Sequence, residues 1–111
     1  MRPYKRNVRL AEYIQQELAQ QILTRSKDPR FSEVTVTHVD LSPDLKNAKV
    51  FVTVFRKELA EELLFILNKS AGFFQSTLAK SAHFRSIPRI TFVYDTQLET
   101  AQKITDLINK I

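Results

Sequence analysis

The chain has no cysteine and no tryptophan, one methionine, four prolines and a single glycine among 111 residues. Each shortage removes a class of chemistry. Without cysteine there is no disulfide framework, no thiolate nucleophile and no thiolate-held metal, which fits a reducing compartment. With one glycine the chain can build neither a P-loop nor a dinucleotide-binding turn. No apolar run approaches the ~18 residues of a membrane span, and the start MRPYKRNVRL lacks a signal-peptide core. A soluble, cytoplasmic protein without a membrane partner is expected.

Catalytic side chains are also scarce. His38 and His83 are the only histidines, and neither has a second His or a Cys at metal-ligand spacing. Glu61 and Glu62 are neighbours on a helix and point about 100° apart, so they make no carboxylate pair. Ser70, Ser76 or Ser81 with His83 is the one nucleophile–base combination on offer. The expectation is no catalytic residue, no metal, no cofactor and no small-molecule substrate.

What is present is positive charge, unevenly spread. The formal net charge is +5. Basic residues dominate residues 1–30, acids dominate 31–62, and from Leu63 to Tyr94 there are Lys69, Lys80, Arg85 and Arg89 with no acid at all. Two basic lobes flanking an acidic one suggest a directional field, the electrostatic footprint of a polyanion partner. A mass of 12.9 kDa with no repeat or linker predicts one domain over residues 1–111, as a monomer, with 1–6 as a flexible N-terminal arm.

Val8, Ala11, Ile14, Leu18 and Ile22 recur at helical steps, which predicts an amphipathic helix over about Asn7–Arg25. Asp28-Pro29 ends it, because a residue before proline is pushed out of helical geometry. Val34–Leu41 (VTVTHVDL) reads as a strand and Ser42-Pro43-Asp44 as a turn. Ala48, Val50, Val52 and Val54 then alternate with Lys49, Phe51, Thr53 and Phe55 as a second, antiparallel strand. Glu58 to about Ala82 is helical, Pro88 stops that helix, and Ile90–Tyr94 is a third strand. Thr96-Gln97-Leu98-Glu99 matches a capping box and opens a last helix, with Leu98, Ala101, Ile104, Ile108 and Ile111 inward. The order predicts an α+β domain, a three-stranded sheet with helices on one face.

Gly72 lies inside the long helical run, in NKSAGFFQSTLAK. Leu63, Leu67, Ala71, Phe74, Leu78 and Ala82 keep one stripe through it. A mid-helix glycine costs ~1 kcal/mol against alanine, so it is expected to mark a bend or a close approach. Lys69, Gly72, Ser76, Lys80 and His83 share the outer face, and a helix restarting at the bend would offer amide donors to an anion. The plainer alternative, a glycine that only bends the helix around a small core, stays open at this point. Lys5, Arg6 and Arg9 form a second basic edge, continued by Arg25, Lys27 and Arg30, where Arg30 has a competing role as partner of Asp28. Phe51, Phe55 and Lys49 on the outer side of the second strand admit a base-stacking role, against the commoner packing role of such aromatics.

Taken together, RNVRLAEYIQQELAQQIL, the DPR at Asp28–Arg30, TVTHVDLSPDLKNAKVFVTVF, SAGFFQSTLAK and FRSIPRITFVYD resemble the bacterial ribosome-binding factor A family over nearly the whole chain. The resemblance implies a type II KH-like fold without a GxxG loop, of order α-β-β-α(kink)α-β-α, in which an Ala-x-Gly bend replaces that loop. Here the triplet is Ser70-Ala71-Gly72, with serine in place of the family's alanine. The family's Pro-Glu-Leu stands here as Pro88-Arg89-Ile90, an acid exchanged for a base. The resemblance further implies a non-enzymatic assembly factor that binds the free small (30S) ribosomal subunit. It would act on late maturation of the 16S rRNA, including its 5′ region, and matter most in the cold. The expected RNA-binding residues are Lys5, Arg6, Arg9, Lys69, Ser70, Gly72, Ser76, Lys80, His83, Arg85 and Arg89. The alternatives are a general KH-like RNA-binding protein, and a small α+β enzyme or metabolite binder.

Overall fold

In the computed structural model the described residues are 3–24, 28–80, 86–97 and 108, with side chains described from residue 7 onward. Helix α1 spans Pro3–Thr24. It begins four residues earlier than the apolar pattern marks, inside the stretch expected as an arm. Pro3 suits a first helical position, where its missing N–H costs nothing. Ile14, Leu18 and Ile22 are buried, whereas Val8, counted in the same stripe, is 39% exposed.

After α1, Asp28 caps a short 3-10 turn over Pro29–Glu33 that the periodicity did not mark. Its carboxylate accepts from the Arg30 N–H at 3.0 Å, and the turn buries Phe31. Strands β1 (Val34–Leu41) and β2 (Asn47–Val54) form the expected antiparallel hairpin, from Val34↔Val54 to Leu41↔Ala48. The connection is tight: the Leu45 N–H donates to the Ser42 carbonyl at 2.9 Å, and Asp44 accepts from the Ser42 hydroxyl and the Lys46 N–H. Leu45 takes φ 61°, the one positive φ among the described non-glycine residues. A β-bulge lies between Val36 and His38. There Gln15 of α1 donates to the Thr37 carbonyl, and the Thr37 hydroxyl donates to Asp95 at 2.6 Å.

Strand β3 (Arg89–Tyr94) lies parallel to β2, from Asn47↔Arg89 to Val52↔Tyr94, giving the sheet order β1-β2-β3. A parallel neighbour needs a long crossover, and the helical run supplies it. That run is not one helix. A 3-10 turn over Lys57–Leu59 leads into α2 (Ala60–Lys69), and α3 (Ala71–Ala79) follows after Ser70.

Burial alternates along all three strands, so one sheet face is covered and the other open. Ile14, Leu18 and Ile22 from α1, Leu63 and Leu67 from α2, Phe74 and Leu78 from α3 and the inward strand residues make one buried cluster. The Phe74 and Phe92 rings meet edge to face at 5.6 Å across the helix–sheet interface. The predicted last helix falls outside the described residues apart from its opening at Thr96 and Gln97, where Gln97 is helical, and Ile108. That residue, expected to face inward, is 64% exposed.

Candidate nucleic-acid interface

The break that separates α2 from α3 sits at Ser70, not at Gly72. Ser70 has φ −92° and ψ 5°, outside the α-helical well, and its N–H donates to both the Ile66 and Leu67 carbonyls at 3.0 and 3.1 Å. The bifurcated bond tightens the last turn of α2 and stops it. The Ser70 carbonyl then accepts from Phe73 and Phe74, starting α3. The Ser70 hydroxyl makes no capping hydrogen bond.

This corrects the role read for the glycine. Gly72 is the second residue of α3, its φ is not positive, and a Cβ built on it meets nothing within 4 Å. Neither the bend nor internal packing requires glycine there.

Lys69, in the last turn of α2, is exposed, as are Gly72, Ser76 and Lys80 along the outer side of α3, while Ser70 and Ala71 are half-buried. Two phenylalanines that the sequence reading did not place at the site share this surface: Phe65 is 69% exposed and Phe73 50%. The overlooked signal was positional. At about 100° per residue Phe65 falls opposite Leu63, Leu67, Phe74 and Leu78, where an apolar side chain has no core to enter.

Three ion pairs form among the described residues: Arg30–Asp28, Arg30–Glu62 and Arg56–Glu33. None takes up Arg9, Lys69, Lys80 or Arg89, so these charges stay available to a partner. Arg30 has the structural role offered as its alternative. It grips Asp28 through two nitrogens and reaches Glu62 at the start of α2. Its guanidinium holds the Asp28 carboxyl below the usual 3.8, and that carboxylate raises the Arg30 pKa.

Not all expected contacts come together. Arg9 is exposed on α1, whose contact with α3 runs through Gln21 and Thr77. Twelve residues, about 18 Å of helix, separate Arg9 from Gln21, and no contact joins Arg9 to the α3 face among the described residues. Arg89 is displaced more decisively. It is exposed beside buried Ile90, which puts it on the open sheet face, away from α2 and α3, across from Asn47. There it joins Lys49 and the half-buried Phe51, which leans on exposed His38 with ring centroids 5.7 Å apart. Phe55 lies beyond the strand end, 87% exposed. The side chains of Lys5 and Arg6, and residues Arg25, Lys27, Ser81, His83 and Arg85, lie outside the described residues. The groove between α1 and β1 holds Glu12 and Asp40, an unfavourable lining for a polyanion.

No group of three His, Cys, Asp or Glu among the described residues is arranged to hold a metal. No helix among them is long and apolar enough to cross a membrane.

A model of the family described as ribosome-binding factor A matches residues 6–108. The chain belongs to the ribosome-binding factor A family. Ribosome-binding factor A of Nitrosococcus oceani is 44% identical over 108 residues, covering 96% of this chain and 85% of that one. The solution structure of a Thermotoga maritima protein described as a ribosome-binding factor A superposes with a TM-score of 0.73. The two are 34% identical, with 89% of this chain and 95% of that one covered. A homology model of the Thermus thermophilus factor, fitted into a cryo-EM map of a 30S–factor complex, matches with a TM-score of 0.65 at 29% identity, over 77% of this chain and 90% of that one. The family's type II KH-like course is the fold described above, and the break at Ser70 falls within the triplet Ser70-Ala71-Gly72 where the resemblance implies a bend. In this member the bend carries a serine.

Proposed function

We propose that the chain is a ribosome assembly factor of the cytoplasm that binds the free small ribosomal subunit and promotes late maturation of its 16S rRNA, including the 5′ region. The observation that carries this reading is membership in the ribosome-binding factor A family, one of whose members is placed in a 30S complex. The outer side of α2 and α3 supports it. Lys69 and Lys80 stand exposed and unengaged in a segment with no acid from Leu63 to Tyr94, the charge an RNA backbone seeks.

The family acts without catalysis, so the effect comes from differential binding. A protein that prefers one arrangement of immature RNA shifts the population toward it by as much as its affinities differ. Contacts to phosphates and sugars would position the domain by shape more than by base identity.

Gradient sedimentation of lysate tests the proposal. The protein should travel with free small subunits and not with whole ribosomes or alone. A variant carrying both Lys69→Glu and Lys80→Glu should leave that fraction while its thermal unfolding barely moves. Co-sedimentation of the double variant at moderate salt would show that the face is wrong.

A further inference from the structure

Gly72 and the exposed rings beside it ask for an explanation outside the chain. This sequence does not place glycine where its backbone wants one: Leu45 sits at φ 61°, a conformation that disfavours side chains, without being glycine. Its single glycine stands instead in helical geometry, with open space where a Cβ would be. Phe65 and Phe73 are exposed apolar rings on the same outer surface, flanking Lys69 and Gly72 in sequence. Phe73 is held from beneath, its ring edge to face with Phe74 at 5.5 Å, and Phe74 is in turn held by Phe92. A supported ring with half its surface exposed is a preorganised platform.

We propose that Phe65 and Phe73 stack against unpaired RNA bases, while the bare backbone at Gly72 lets the strand approach α3 closely between them. The inference rests on the RNA-binding reading above and names the mode of contact. Charge selects the partner: Lys69 and Lys80 edge the rings, whereas Glu61 and Glu62, near the start of α2, mark where the surface stops suiting a polyanion. Bases splayed from a loop or junction stack on aromatic side chains regardless of identity, because every base has a π-face. Single-stranded segments, not duplex, are therefore the elements recognised at this surface.

The test measures affinity of the full chain for free small subunits at one salt concentration. Phe65→Leu and Phe73→Leu keep apolar bulk without a ring face, and each should weaken binding about ten-fold. The matching tyrosine variants should stay within about three-fold of the parent. Phe73→Leu touches Phe74, so thermal unfolding is followed in parallel; Phe65, exposed and free of that contact, keeps the test decisive. If leucine serves as well as phenylalanine at both positions, the surface meets an apolar protein pocket or nothing, and stacking is refuted. The Lys69→Glu, Lys80→Glu variant separates the two levels. Its loss of binding beside neutral leucine variants leaves RNA recognition standing without stacking, while its retention overturns both.

Discussion

Asn68 holds both backbone groups of Phe92: its side-chain amide donates to the Phe92 carbonyl at 3.0 Å and its Oδ1 accepts from the Phe92 N–H at 2.7 Å. Two residues back along β3, the Ile90 N–H donates to Oε1 of Gln75 at 3.3 Å. The two amides thus engage the free edge of the sheet, where unpaired backbone groups would otherwise invite another strand. They also stand on opposite sides of the break. On a straight helix Asn68 and Gln75 would be separated by about 10.5 Å along the axis, while the strand residues they reach are about 6.6 Å apart. The helix must cross the strand obliquely or bend, and Ser70 lies between the two anchors.

Asn68→Ala should therefore destabilise the fold by about 1–2 kcal/mol, the net worth of two hydrogen bonds of this kind. At this chain length that lowers Tm by roughly 5–10 °C. Asn68→Asp keeps an acceptor for the Phe92 N–H but loses the donor, so its Tm should fall as well. Calorimetry of the three proteins checks this; an unchanged Tm in Asn68→Ala would mean the amide is dispensable.

Gly72→Ala separates the bend from the contact. A glycine acting as hinge would make alanine destabilising. Here the break belongs to Ser70 and the new Cβ meets open space, so stability should hold or rise by up to about 1 kcal/mol. Affinity for small subunits should nonetheless drop several-fold, because the methyl occupies the space proposed for RNA. Reduced stability with intact binding would return the glycine to a hinge role.

The sequence carried most of the fold because its signals were periodic. Alternation through Ala48–Val54 and the stripe Leu63, Leu67, Phe74, Leu78 each have a core face to report. Within the expected bend Ser70-Ala71-Gly72 the stripe does not single out Ser70 as the break, because it runs in phase through that residue. What distinguishes the position is a carbonyl and an amide exchanging partners, together with side-chain bonds from Asn68 and Gln75 to a strand more than a dozen residues away. Such tertiary hydrogen bonds leave no periodic trace. Arg89 is near the lysines in sequence, but strand pleating sends it to the other face. Phe65 was legible in principle, being an apolar residue on the outward stripe, where no core exists for it to enter.

Acid should loosen the fold through Asp28 more than through an average carboxylate. Hydrogen bonds and charge from Arg30 hold its pKa below the ordinary 3.8. Above that value the carboxylate is charged in both states and its full contribution is present. As pH falls below 3.8 the unfolded chain takes up the proton first, and the contribution fades. Asp44, lowered chiefly by the Ser42 hydroxyl, and Asp95, lowered chiefly by Thr37, act in the same direction. Asp28→Asn should be less stable than the parent at pH 6, with the gap narrowing toward pH 3. Equal gaps at both ends of a pH series of denaturant unfolding would exclude the linkage.

Salt dependence discriminates between the two basic faces. Arg30 and Arg56 are engaged in ion pairs, so the counterions released on binding should come from Arg9, Lys69, Lys80 and the neighbouring basic residues. With about five phosphate contacts, log affinity for small subunits should fall against log salt with a slope of roughly −3.5 to −4.5. Removing both Lys69 and Lys80 charges should flatten that slope by roughly 1.4–1.8, whereas Arg89→Ala, on the open sheet face, should leave it unchanged. If Arg89→Ala flattens the slope and the lysine variant does not, the RNA lies across the sheet beside Lys49 and Phe51. A slope near zero in the parent would mean that the subunit is held by contacts other than phosphate.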